Sequence, residues 1–216
     1  MTWSYVARTN GSNSSTFTPS AWPTGTQEGD IVIFASMPAP DLDPTYEYTS
    51  TTAGWTALSA IGSTNARFRW ARYSSAQALP TITQGASSST CTWNLLTFRP
   101  TQQSAFATEF SQTSVGLNPP AASSYTTTSN STLLVLYASQ PGDQAASWTA
   151  TGGFTELFQT NGSGSGNANY PNQWCGWQAV SSPATAVTNM RAYLIVNRYF
   201  IFAFGEQSID GLFFPL

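Results

Sequence analysis

The sequence predicts an all-β protein, a single jelly-roll-like antiparallel β-sandwich built from two degenerate repeats. Three observations predict it. Short apolar runs bounded by Gly, Pro, Asn and Ser recur along the 216 residues, as strands between turns require. No stretch carries apolar residues at i, i+3, i+4 and i+7 over three turns, as an amphipathic helix would. A set of short motifs also occurs twice, in the same order.

In the first half, strands are expected over Trp3–Ala7, Asp30–Met37, Trp55–Ile61, Ala66–Ser74, Thr81–Thr83, Thr90–Phe98 and Ala105–Phe110. In the second half they are Ser131–Ser139, Phe154–Thr160, Gln173–Val180, Ala186–Met190, Tyr193–Phe204 and Gly211–Phe214. Ile31–Phe34 and Leu133–Leu136 are apolar on both faces. Such strands are central and covered on each side, or face the core on one side and a neighbouring subunit on the other. Residues 66–73, ARFRWARY, alternate. Phe68 and Trp70 point one way and Arg67, Arg69 and Ala71 the other, with Arg72 breaking the pattern near the strand end.

The repeat matches IVIFAS (31–36) with LVLYAS (134–139), a spacing of 103, and AGWTAL (53–58) with GGFTEL (152–157), a spacing of 99. FRWARYSS (68–75) matches CGWQAVSS (175–182), setting Trp70 against Trp177, and WNLLTF (93–98) matches RYFIFAF (198–204). The units run over about 29–100 and 131–204, with a C-terminal tail over 205–216. Each copy alone is a thin sheet with one exposed apolar face. The copies bury those faces against each other, or interleave as two sheets, giving one domain over 1–216 with roughly eight to ten strands. Two separate domains, linked through Gly116–Asn130 with its Asn118-Pro119-Pro120, are the second reading. Gly54 and Gly153 are expected in a turn conformation that other residues resist. Trp55 or Phe154 then drops an aromatic ring into the core, a packing corner rather than a ligand site.

Aromatics make up 14% of residues, enough to pack a core, while charged residues are only 8%, against roughly 25% in an ordinary soluble domain. Every basic residue is Arg, and His is absent. The polar surface is therefore Ser, Thr, Asn and Gln. A net charge of −3 offers no basic footprint for nucleic acid or an anionic membrane, so neither is an expected partner. The N-terminal residues lack the basic start and apolar run of a secretory signal, and LLVLY and YFIFAF are too short to span a bilayer. Cys91 and Cys175 do not make a disulfide scaffold; both free is favoured over one bridge. The Asn-x-Ser/Thr sites at Asn10, Asn13, Asn130 and Asn161 would matter only on a secretory route, which is not expected.

The absence of His removes Ser-His-Asp and Cys-His machinery and imidazole metal ligands. The absence of Lys removes a Schiff base or a P-loop, and GSGSGNAN at 162–169 reads as a hairpin loop. A carboxylate pair for glycoside hydrolysis remains conceivable. Glu28 and Asp30 flank a Gly before a strand, and Glu109, Glu156 and Glu206 lie in or beside strands, none in a distinctive setting. Asp41, Asp43 and Glu47 offer hard oxygens for Ca²⁺, but Pro40 and Pro44 bracket a plain loop without EF-hand spacing. No catalytic residue, metal site or cofactor is therefore assigned. Trp148, Tyr170 and Trp174, in or near polar loops, are candidates for stacking on sugars, against the reading that they cap the sandwich ends. The tail places Ile209, Leu212, Phe213, Phe214 and Leu216 at a chain end, where residues are usually polar and frayed. These five are candidates for a subunit interface, or for folding back on the body.

Gly29-Asp30 before an apolar strand, the Gly54-Trp55-Thr56 corner, the aromatic strand from Trp70 to Ser75 and the second round resemble a family. It is that of the β-sandwich structural proteins of tailed-bacteriophage particles: capsid decoration or cement proteins, head fibres and tail-fibre modules. The likeness covers roughly 29–204. The second round departs from it, with Gly153-Phe154-Thr155 and with Asn130-Ser131 in place of Gly-Asp. The resemblance implies a non-enzymatic virion subunit, often a homotrimer, that binds major capsid or tail proteins. It implies assembly in the host cytoplasm and release by lysis, which accounts for a surface suited to the outside without export. A cement subunit that stabilises the shell by burying apolar area is the expected role. A tail-fibre or receptor-binding module reading host glycans is the alternative, disfavoured because the chain has no repetitive shaft.

Overall fold

The sequence Ile31-Val32-Ile33-Phe34 is β-branched and aromatic, and suits a strand buried on both faces. In the computed structural model it sits at the centre of a five-stranded sheet. The structure describes residues 3–13, 16–38, 48–49, 52–58, 67–84, 91–101, 106–116, 123–126, 131–140, 148–151, 153–160, 172–181, 185–192 and 197–206. The first half contains β1 (Trp3–Asn13), β2 (Ile31–Pro38), β3 (Tyr48–Thr49), β4 (Thr56–Leu58), β5 (Arg67–Arg72), β6 (Thr83–Gln84) and β7 (Cys91–Pro100). The second contains β8 (Phe106–Gly116), β9 (Ser123–Thr126), β10 (Ser131–Gln140), β11 (Trp148–Thr151), β12 (Thr155–Thr160), β13 (Asn172–Ser181), β14 (Thr185–Ala192) and β15 (Asn197–Glu206). Every strand pair is antiparallel. Among the described residues there is no helix, hence none long and apolar enough to cross a membrane.

One five-stranded sheet has the order β1-β7-β2-β5-β4, and the other β12-β13-β10-β15-β8. Their inner faces share one core. Trp3, Ile31, Ile33, Phe68, Leu96 and Phe98 come from the first sheet, and Leu133, Val135, Tyr137, Phe158, Cys175 and Phe204 from the second. Rings meet across the gap: Phe98 with Trp177 at 6.0 Å, Trp70 with Phe204 at 5.4 Å, and Phe68 with Tyr137 at 5.3 Å. The outer face of the first sheet is also covered. Val32, Phe34, Ala71, Trp93 and Leu95 pack there under Phe17, Trp55 and Ile82. Leu134 and Leu136, on the outer face of the second sheet, are equally shut off from water. The expectation that β2 and β10 are covered on both sides therefore holds.

Two smaller sheets accompany the large ones, β3-β6 in the first half and β11-β14-β9 in the second. Phe17 adds an antiparallel bridge to Ile82, beside β6. Interleaving of the two halves, one of the two arrangements expected, is absent among the described strands. The first large sheet takes all its strands from residues 3–100 and the second from 106–206. The reason is local. Each half closes its own antiparallel ladder and leaves only an apolar face to bury, so the halves meet face to face rather than exchange strands. Within each half the chain also passes between the large and the small sheet, as from β2 through β3 to β4 and from β8 through β9 to β10.

The central strands of the two sheets have similar neighbours. Ile31 and Leu133 stand beside Phe98 and Phe204, and Ile33 and Val135 beside Trp70 and Trp177. The motif match at a spacing of 103 sets inward Ile31 against outward Leu134. A one-residue slip exchanges inward and outward side chains.

Gly54 and Gly153 both have left-handed backbone, with φ of 82° and 86°. The following Trp55 is buried, its indole N–H donating to the Ala78 carbonyl at 3.0 Å. Phe154 is only half-buried, so the second corner is the looser one. Strands β3, β9 and β11 were not predicted. Each is four residues or fewer and too short to show a period. β9 falls inside the expected linker and pairs with β14. The expected strand at Gly211–Phe214 lies outside the described residues.

Candidate functional site

Asn94 interrupts an apolar strand at a position sharing its parity with Leu96 and Phe98, so its amide points into the inter-sheet core. A buried amide is tolerated only when its hydrogen bonds are made. Its Nδ2 donates to the Tyr137 hydroxyl at 2.9 Å and to Gln173 Oε1 at 2.9 Å. The Tyr137 hydroxyl donates to the same oxygen at 2.5 Å, and Gln173 Nε2 donates to Thr92 Oγ1. Thr92 and Asn94 come from β7, Tyr137 from β10 and Gln173 from β13, so the cluster joins the two large sheets. These donors are spent on one another, which makes the cluster a clasp rather than a ligand cradle. Sequence reading passed over it, although a polar residue at a core-facing strand position is the signal that finds such clusters.

Arg8 lies close by. Its guanidinium sits 4.0 Å above the centre of the Phe158 ring, the arrangement favoured by the negative face of an aromatic. Its Nε donates to Asn10 Oδ1 at 3.2 Å, while its Nη1 is buried without a hydrogen-bond partner. Register accounts for the inward cation. β1 pairs with β7 through a bulge between Tyr5 and Ala7, which passes the inward parity from Tyr5 to Arg8. Burial pushes the Cys175 thiol well above the ordinary thiol range, with the Arg8 charge a smaller opposing influence. Tyr5 is raised for the same reason, again opposed by Arg8.

A second polar assembly anchors the start of β2. Asp30 is buried and holds Arg99 through two bonds of 2.9 Å, from Nε to Oδ1 and from Nη2 to Oδ2. The Gln27 amide donates to Oδ2 at 2.8 Å, and Arg99 Nη2 reaches the Gly25 carbonyl at 2.7 Å. The hydrogen bonds to Asp30 raise the Arg99 pKa further. The Gly29-Asp30 motif is thus a strand anchor. Glu28 accepts from the Ser75 amide at 2.6 Å and is likewise tied to a turn.

Trp174 does not serve as a stacking platform. It lies on β13 at 0% exposure, its indole donating to Glu156 Oε2 at 2.8 Å. A polar neighbourhood in sequence suggests a loop, but the strand seats the ring on the covered outer face of the second sheet, the face of Leu136, and over Gly176, where no larger residue would leave room. Trp148 falls on β11 and only its backbone is described. Tyr170, the loop acids Asp41, Asp43 and Glu47, and Ile209, Leu212, Phe213, Phe214 and Leu216 lie outside the described residues. Cys175 is free and buried, so the alternative of a bridge to Cys91 is set aside. Among the described residues no three His, Cys, Asp or Glu side chains gather as a metal site would need. No protein family, curated protein or solved structure matches the chain.

Proposed function

We propose that the chain is a non-enzymatic structural subunit of a tailed-phage particle, a decoration or cement protein that stabilises the shell by subunit contacts. The observation that carries this reading is the closed, charge-poor body. Two large sheets bury a shared core, β2 and β10 are sealed on both faces, and Asn94, Tyr137, Gln173 and Thr92 hydrogen-bond to one another between the sheets. Such a body suits adhesion by its surface. Its partners are major capsid or tail proteins and, in a homotrimer, copies of itself, and its place is the virion. The glycan-reading alternative loses Trp174 as a platform.

The two facing large sheets form one β-sandwich, and each half is a degenerate copy of a single unit. Three features support the duplication. Read from β1 and from β8, the large sheets run in matching order, β1-β7-β2-β5-β4 and β8-β15-β10-β13-β12. Both edge strands carry a bulge at the same place, opposite Thr97/Phe98 and opposite Ala203/Phe204. Gly54 and Gly153 share their left-handed backbone. Within each unit, strands cross between a large sheet and a small one, which gives each copy jelly-roll character.

Imaging purified particles that carry a labelled subunit tests the role. Label spread over the head is expected, and label confined to the tail tip would replace cement with a fibre role. Deleting residues 208–216 is expected to abolish particle binding while near-ultraviolet circular dichroism stays unchanged.

A further inference from the structure

Two near-copies with apolar inner faces raise a pairing problem. The first inner face could close on the first face of another chain as readily as on the second face of its own. Exchanging the halves exchanges the ring pairs, Phe98–Trp177 for Phe204–Trp70. The clasp does not exchange. In the first sheet Ala35 stands beside Asn94, and at the corresponding place in the second Tyr137 stands beside Phe200. Asn94 thus answers to Phe200, and Tyr137 to Ala35. The clasp forms at one end only and draws on both halves.

We infer that the Thr92–Asn94–Tyr137–Gln173 clasp is a pairing-specificity device that closes the first half on the second half of the same chain and rejects pairing of first halves between chains. In a first-on-first pairing, Asn94 would face a second Ala35 instead of Tyr137, and its Nδ2 would be buried without the hydroxyl and carboxamide oxygens it now reaches. A half-satisfied buried network is worse than none. Buried polar residues set register and partner choice in the same way at coiled-coil seams. The inference rests on the duplicated-halves reading.

The test is nuclear magnetic resonance on mixtures of isotope-labelled and unlabelled full-length chains. In the wild-type protein, contacts within one chain between Phe98 and Trp177 and between Trp70 and Phe204 are expected, with no contact between Phe98 of one chain and Trp70 of another. Absence of either contact within the chain would overturn the duplicated-halves reading and the device with it. In Asn94→Phe/Tyr137→Ala, where each position takes its counterpart's residue, the Phe98–Trp70 contact between chains is expected to appear and to grow with concentration. Asn94→Leu serves as a milder variant if the double one fails to fold, with the same expectation. A folded variant that keeps the Phe98–Trp177 contact, with no contact between chains, would overturn the device alone.

Discussion

Gly54 and Gly153 show how much one position can carry. A side chain at Gly54 would meet the left-handed backbone and run into the Gln77 carboxamide; at Gly153 a Cβ would lie 2.8 Å from Gln178 Nε2. Gly54→Ala and Gly153→Ala are each expected to lower stability by about 1–2 kcal/mol. Urea denaturation checks this, and unchanged midpoints would show that neither corner needs its glycine. Cys175 gives a pH dependence. Its thiol is held protonated in the fold, so the folded state binds more protons than the unfolded one at alkaline pH. The associated stability is complete below the unfolded thiol pKa of about 8.5 and is lost as pH rises above it, by up to about 1.4 kcal/mol per pH unit. Tyr5 shifts in the same direction and adds to the loss above about pH 10. Denaturation midpoints between pH 8 and 10 are expected to fall less steeply in Cys175→Ala than in the wild type.

The strands explain which of these positions could be read in advance. Central β2 and β10 were legible because an unbroken apolar run is a strong signal. The edge strands were harder. β1 and β8 extend well past their expected ends, through Thr, Asn, Gly and Ser, because ladder bonds to β7 and β15 hold a backbone that propensity alone would release. Asp30 illustrates an element held by its end: it ties the entry of β2 to Arg99 near the exit of β7. Asp30→Ala is expected to cost about 1–3 kcal/mol. The loss stays below that of a fully buried pair because the Arg99 side chain is 36% exposed and regains water. A double-mutant cycle with Arg99→Ala measures the coupling, and a value near zero would show that the pair merely decorates the turn.

The two halves share one core, so they are expected to unfold together. Tryptophan fluorescence and far-ultraviolet circular dichroism should report one coincident urea transition. Phe98→Ala and Phe204→Ala, which empty core positions supplied by opposite halves, should each cost about 3–5 kcal/mol. Two separated transitions would restore the reading of independent domains. The strand class, the doubled motif order, the two-faced central strands and the glycine corners were all written in periodicity and composition, because burial and turn geometry act through the residue itself and its near neighbours. The tertiary structure alone decided that the halves face each other without exchanging strands, that Ile31 and Leu133 both face the shared core, that Trp174 is buried on the outer face of its sheet, and that Asn94 finds Tyr137 and Gln173. Those outcomes depend on pairings between residues far apart in the chain, and a one-residue change of register, invisible to motif matching, reverses which side chains meet.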